Sequence, residues 1–280
     1  MSLFVLMAAL VLAPVDPIPA CEARLLSCAD WTETADTRWN FEASIPGGGG
    51  LTYFGAEHSR DPALAQFAAI DAAFKAVAPT VVFDEGPDRG VADDGAATIA
   101  SRGESGYVRF LASQPGIRIA PLEPSPINQL KGLAERFPAD QVYLFFTLRE
   151  AARLRDRESL TGEALHQAMT TLLSRAGAMA VAGGFTPPFS DLAGLQAAYA
   201  KYWPAGPDWR AAPSNWFSPS ADDAATGGIF MGRINAASSE VRNLHMYRVL
   251  ARAALSGEKV FAVVGRNHVP MQAPALACAL

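Results

Sequence analysis

Leu51-Thr52-Tyr53-Phe54-Gly55-Ala56-Glu57-His58 is the stretch on which the fold turns. Four residues with strand character run into Gly55, and a carboxylate and an imidazole follow at once. Three later segments repeat the form. Thr80 to Phe83 leads into Asp84-Glu85-Gly86, Ile117 to Leu122 into Glu123-Pro124, and Val260 to Val264 into Gly265-Arg266-Asn267-His268. Short apolar runs of this kind suit strands buried on both faces of a parallel sheet. Ligands of open α/β sheets bind beyond the carboxyl ends of the strands. The expectation is that these four strand ends meet in one place.

The segments between them support that order. Asp61-Pro62 reads as an N-cap with Pro at the first helical position, and Leu64, Phe67, Ile70, Phe74 and Val77 follow with helical spacing. Pro79 stops the helix before the next strand. Trp39 to Ile45 is a further candidate strand, and residues 86–103 read as a loop before a short helix from Glu104 to Ala112. After the strand at 117–122 come helices near 125–137, 141–157 and 162–175. An irregular stretch, 178–235, follows with one helix near 190–202, then a long helix from Ser238 to Leu255. The fold class expected is α/β: a central, largely parallel sheet flanked by helices, with a helical insertion (about 125–235) between the third and last core strands. Residues 21–280 form one domain. There is no repeat and no phosphate-binding Gly fingerprint.

Half of the 280 residues are apolar and 18% are charged, enough to build a full core. A net charge of −5 gives no support for nucleic-acid binding. Leu3 to Ala13 is apolar, too short to span a bilayer and suited to the core of a signal peptide, with cleavage near residue 20. The expectation is an exported protein, periplasmic or secreted, with no transmembrane span once the signal is removed. A buried N-terminal helix is the alternative. The three cysteines, Cys21, Cys28 and Cys278, lie at the two ends of the chain. Cys278 pairs with Cys21 or Cys28 in an oxidising compartment, or all three are idle thiols. Cys21 after Ala20 is also a formal lipidation position, although Pro19 suits it badly.

His58 and His268 occupy the same place in two Gly-x-x-His turns 210 residues apart, in a chain with only four histidines. A lone His after a strand is more often structural, and the pairing argues against that here. His166 and His245 fall inside helices and pack or face water. Glu85 and Glu123 emerge from apolar runs, so each needs a partner or a proton; a structural ion pair is the plain alternative. Glu104 opens a helix, where a cap role alone would explain it. Arg242 could hold a substrate carboxylate or one of these glutamates in a bidentate pair, or face solvent, and Arg266 could do the same.

Gly55-Ala56-Glu57-His58, Glu85 after its strand, Arg242-Asn243-Leu244-His245-Met246 and Gly265-Arg266-Asn267-His268 together resemble the TraB/GumN/Tiki family. That family is grouped with the ChaN-like haem-uptake proteins and the erythromycin esterases. The pattern spans residues 51–269; Val241 stands where family members often carry Glu. The resemblance implies a hydrolase that cleaves a peptide or ester bond of a peptide or small-molecule substrate with an activated water. His58, Glu85 and His268 would hold a divalent ion (Mn, Co, Fe or Zn), with Glu57 behind His58. Glu104 and Glu123 would be further carboxylates, and Arg242 would steady an oxyanion. Two alternatives stay open: a metal-free His–Glu site of the erythromycin-esterase kind, or a non-enzymatic haem or metal binder in which an imidazole is an axial ligand.

Overall fold

The computed structural model describes residues 16–280. The apolar run at 3–13, and with it most of the expected signal segment, lies outside the described residues. In chain order the elements are α1 (Pro17–Cys21), α2 (Cys28–Thr34), β1 (Asn40–Ser44), β2 (Gly50–Ala56), α3 (Ala65–Val77), β3 (Val81–Asp84), α4 (Gly95–Ser113) and β4 (Arg118–Pro121). Then come α5 (Pro126–Ala134), α6 (Ala139–Glu158), α7 (Gly162–Ala182), α8 (Leu192–Tyr202), α9 (Asp223–Thr226), α10 (Met231–Leu255), β5 (Lys259–Gly265) and α11 (His268–Ala279).

The sheet order is β1-β2-β5-β3-β4. β1 pairs antiparallel with β2 across a glycine turn, and every other pair is parallel. The last strand therefore inserts between the first two parallel ones, which brings Gly265 opposite Ala56 and Val263 opposite Asp84. β5 alternates strictly. Val260, Ala262 and Val264 pack with Tyr53, Met246, Leu250 and Leu276 on one face, while Phe261 and Val263 pack with Phe67, Ile70, Phe74 and Val108 on the other. This is the expected α/β architecture, with helices on both faces of a mostly parallel sheet.

A third cluster belongs to the insertion. It is built from α5 to α8, the segment around Trp209 and Trp216, and the start of α10, and it is rich in aromatics: Trp203 stacks on Tyr199 and Trp216 and meets Phe230 at a tilt. α10 runs from this cluster into the sheet core, so it ties the two together. It begins seven residues before the expected Ser238 because Met231, Ile234 and Ala237 already have an apolar core to bury against.

Two other boundaries moved. Asp61-Pro62 shapes a turn in which Asp61 accepts from the Ala63 amide, and α3 starts only at Ala65. The second half of the expected loop before Glu104 is helix: Asp94 caps α4, which breaks at Gly103 (φ 68°, ψ −154°). A Cβ at Gly103 would stand 3.0 Å from the Ser59 carbonyl oxygen. The glycine lets α4 press against the segment after β2, and this places Glu104.

The two ends of the described residues meet: Cys21 and Cys278 form a disulfide and Cys28 is a buried free thiol. The Cys21 sulfur is thus engaged and not available for lipidation. Ile18 is buried, and the Tyr247 hydroxyl donates to its carbonyl oxygen at 2.8 Å. Cleavage near residue 20 would remove this packing; a cut ahead of Asp16 would keep it. Among the described residues no helix is long and apolar enough to cross a membrane.

Candidate functional site

The carboxyl ends of β2, β3, β4 and β5 converge as the strand order requires. Glu85, one residue past β3, is the hub. Its Oε1 accepts from Arg242 Nη2 at 2.6 Å and lies 3.7 Å from His268 Nε2; its Oε2 accepts from the Gly265 amide. Burial alone would raise its pKa. The charges of His268, Arg242 and His58, with the Gly265 amide, overcome that and hold the carboxyl down at about 2. At neutral pH His268 is uncharged, so Arg242 is the standing partner.

Arg242, on α10, also grips Glu123 past β4. Nε donates to both carboxylate oxygens at 2.9 Å and Nη2 to Oε1. Burial pushes the Glu123 carboxyl up while this fork pulls against it. Nε and Nη2 are used, and Nη1 has no protein partner among the described residues. Arg242 lines the cleft described below, so two N–H groups remain for a ligand.

His268 opens α11 and is buried. Asn243 Oδ1 takes its Nδ1–H at 2.6 Å and also accepts from Gln272 Nε2 at 3.0 Å, while Asn243 Nδ2 faces Met271 Sδ. This fixes the tautomer and leaves the Nε2 lone pair toward Glu85. Burial, then the Arg242 charge, lowers the His268 pKa to about 4, with Glu85 opposing.

His58 follows β2, and its ring edge is open to solvent. Nδ1 meets Glu104 Oε1 at 2.5 Å, and this bond raises the imidazole pKa. The opposite edge is located by Gly265. A Cβ there would lie 3.0 Å from His58 Nε2 and 3.1 Å from Glu85 Oε2. Only glycine leaves room for the imidazole and the carboxylate to approach over the end of β5.

Two candidates stand apart from this cluster. The Glu57 side chain pairs with Arg266, whose guanidinium lies 5.1 Å from the Trp39 ring. Glu57 and Arg266 thus clamp the rim outside the site. His166 is exposed on α7, and His245 is half-buried on α10. Asp84 points away from Glu85, as strand alternation requires, and forms a buried two-bond pair with Arg109 at 2.9 and 2.7 Å. Burial still pushes Asp84 up to about 6.

The cluster opens into a cleft of about 1070 Å³ between the sheet rim and α6. Glu85, Glu123 and Arg242 form its floor, with Arg149, Arg153 and Arg157 of α6 along the wall. His58 and Glu104 stand beside this lining, and His268 lies beneath Glu85. The α6 arginines carry no motif and were not among the candidates. Their i, i+4, i+8 spacing puts them on one helix face, the only signal the sequence holds for them.

As a metal site the donors fit poorly. Both Glu85 oxygens already face N–H donors, one from a guanidinium, and His58 Nδ1 is taken by Glu104. Among the described residues no group of three or more His, Cys, Asp or Glu side chains is arranged to hold a metal ion. A haem would need an axial ligand facing its cavity, whereas among the described residues no histidine lines the cleft, whose walls mix Phe146, Phe217 and prolines with arginines and carboxylates. In comparisons with known proteins, no family model matches the chain and no solved structure matches it.

Proposed function

We propose that the chain is an exported hydrolase of TraB/Tiki-like type that cleaves an ester or peptide bond with a water activated by His58, in the metal-free manner. One observation carries this: His58 is held by Glu104 on Nδ1 and turns Nε2 toward Glu85 across Gly265. That is a general base with its orienting carboxylate. The Cys21–Cys278 disulfide supports an oxidising compartment.

In this mechanism the carbonyl lies above Glu85, where the free Arg242 N–H groups can receive its oxygen. His58 Nε2 takes a proton from water as the water oxygen bonds to the carbonyl carbon. Negative charge moves onto the carbonyl oxygen and is met by Arg242. When the intermediate collapses, the bond to the leaving group breaks and the imidazolium returns its proton there. The products are a carboxylic acid and an alcohol or amine. Glu85, ionised throughout the neutral range, accepts the second hydrogen of the water and orients it. Glu104 keeps the Nδ1–H tautomer and stabilises the imidazolium.

The test is turnover of a panel of esters and peptides by wild type, His58→Ala and Glu104→Gln, each with and without chelator. His58→Ala lowers kcat/KM by a factor of about 10²–10⁴ with the melting temperature unchanged. An unaltered rate in His58→Ala, or no hydrolysis by wild type under any condition, overturns the proposal. Loss of all activity on chelation, restored by Mn, Co, Fe or Zn, would replace it with the metal-dependent version on His58, Glu85 and His268. A Soret band in pure protein would replace it with haem binding.

A further inference from the structure

The charges lining the cleft are unevenly paired, with two carboxylates on one guanidinium. Every acidic side chain lining it already has a cation. Glu85 and Glu123 share Arg242, Glu150 has Arg153, Asp156 has Arg155, and Asp88 has Arg109. Of the lining arginines, Arg242 and Arg153 are used in these pairs. Arg149 and Arg157 remain, open to the cleft and without a hydrogen bond or ion pair among the described residues; the Arg149 head lies 5.7 Å from the Phe145 ring. Leaving them so has a cost. Desolvation by the cleft wall and the neighbouring Arg242 push the Arg149 pKa down, with Glu123 and Glu150 opposing, and Arg157 acts on His58 as a repelling charge.

We infer that the substrate of this site carries an oxyanionic group, carboxylate or phosphate, received by Arg149 and Arg157 on the α6 wall of the cleft. This rests on the hydrolase proposed above and names its substrate class. The two arginines lie eight residues apart, roughly 12 Å along the helix axis. Arg149 stands on the side of Glu123 and Arg242, and Arg157 on the side of His58. A guanidinium offers a planar fork that matches either oxyanion. An extended substrate with anionic groups on both sides of its scissile carbonyl would engage both cations and lie across the His58–Glu85 gap. A neutral substrate would leave both without a direct ion-pair partner.

The experiment is calorimetric titration of the full chain with glutarate, inorganic phosphate and the neutral diamide of glutarate. Wild type binds at least one of the two anions, and the anion it prefers distinguishes carboxylate from phosphate. The diamide does not bind. Arg149→Gln and Arg157→Gln each weaken anion binding about tenfold, as expected for losing one charged hydrogen-bond donor group. The double variant abolishes binding, and Arg175→Gln, on α7 outside the cleft lining, changes nothing. Thermal melts confirm that each variant folds. Wild type binding no anion better than the diamide overturns the inference, as does equal binding by the double variant. The two proposals fail separately. Arginine-dependent anion binding without turnover removes the hydrolase and keeps the anion site. His58-dependent turnover of neutral esters without anion binding removes the anion site and keeps the hydrolase.

Discussion

The sheet rim and the helical insertion face each other across one cleft, and they treat charge in opposite ways. On the rim each of these ionic side chains has a direct partner: Glu85 and Glu123 share Arg242, His58 meets Glu104, Glu57 meets Arg266 and Asp84 meets Arg109. On the wall that the insertion supplies, Arg149 and Arg157 have no direct ion-pair partner among the described residues. A side chain at the end of a buried strand must be paired, because the backbone there leaves little water to solvate it. A side chain on the outer face of a helix carries no such demand and can be held ready for a ligand. In the proposed reaction the rim provides the reacting groups and the insertion provides selection.

That contrast holds only if the two regions form one cooperative body. Trp203 tests this with the largest expected effect. It stacks on Tyr199 at 4.9 Å and on Trp216 at 5.0 Å, and its indole N–H donates to the Gly227 carbonyl oxygen at 2.8 Å. Trp203→Ala should lower stability by about 3–5 kcal/mol. Because α10 is shared by both cores, tryptophan fluorescence and far-ultraviolet dichroism should report a single shifted urea transition. Phe261→Ala, in the sheet core against Phe74, should behave alike. Two separate transitions in Trp203→Ala would make the insertion an independent unit.

Such coupling also marks what could be read in advance. The rim was legible because strand position alone dictates it. Glu85, Glu123 and His268 each follow an apolar run, and in a parallel sheet all such ends face one edge. Arg242 was legible as a partner for a glutamate, though not that it would bridge two. Glu104 was an ordinary helix-opening residue in sequence; its contact with His58 depends on the break at Gly103, a loss of helical backbone inside an apparent loop. Asn243 lay beside Arg242, yet its hold on His268 needs the packing of α10 against α11. Arg109, Arg149 and Arg157 had no local signature. Which face of α4 turns to the sheet, and which face of α6 looks into the cleft, is decided by the sheet and by the aromatic core of the insertion, not by residues nearby in the chain.

A smaller effect separates the buried part of the rim from its open part. His268 has a folded pKa of about 4 against an ordinary 6.5, so the fold favours the neutral ring. The stability this reflects is fully present above pH 6.5 and is lost as pH falls toward 4, about 3 kcal/mol in all. Asp84 acts in the opposite sense. Its folded pKa of about 6 lies above its ordinary 3.8, so its contribution is present below 3.8 and is lost as pH rises through 6. The two partly cancel in raw stability. The difference between wild type and His268→Gln removes Asp84 from the comparison. Measured by urea unfolding at pH 7 and pH 4, wild type should lose more than the variant by about 3 kcal/mol. Equal losses would mean that His268 accepts a proton without cost and is not buried against Arg242.

The smallest effect joins the two regions on a single proton. Glu104, from the rim side, raises the His58 pKa through its hydrogen bond; burial works against it, the Glu85 charge adds to it, and Arg157 from the insertion lowers it as the last and least of the contributions. His58 must be neutral to accept a proton from water, so the acid limb of the rate profile should lie above the ordinary 6.5 of histidine. Glu104→Gln removes the raising partner and should move that limb to lower pH. Arg157→Gln removes a repelling cation and should move it, by less, to higher pH. Proton NMR of the His58 ring follows the same titration without any substrate, so the result does not depend on turnover. Opposite signs from the two variants would show that rim and insertion act on one imidazole from two sides. Shifts of the same sign, or none in Glu104→Gln, would mean that His58 titrates as a free surface histidine and that its contact with Glu104 does not persist in solution.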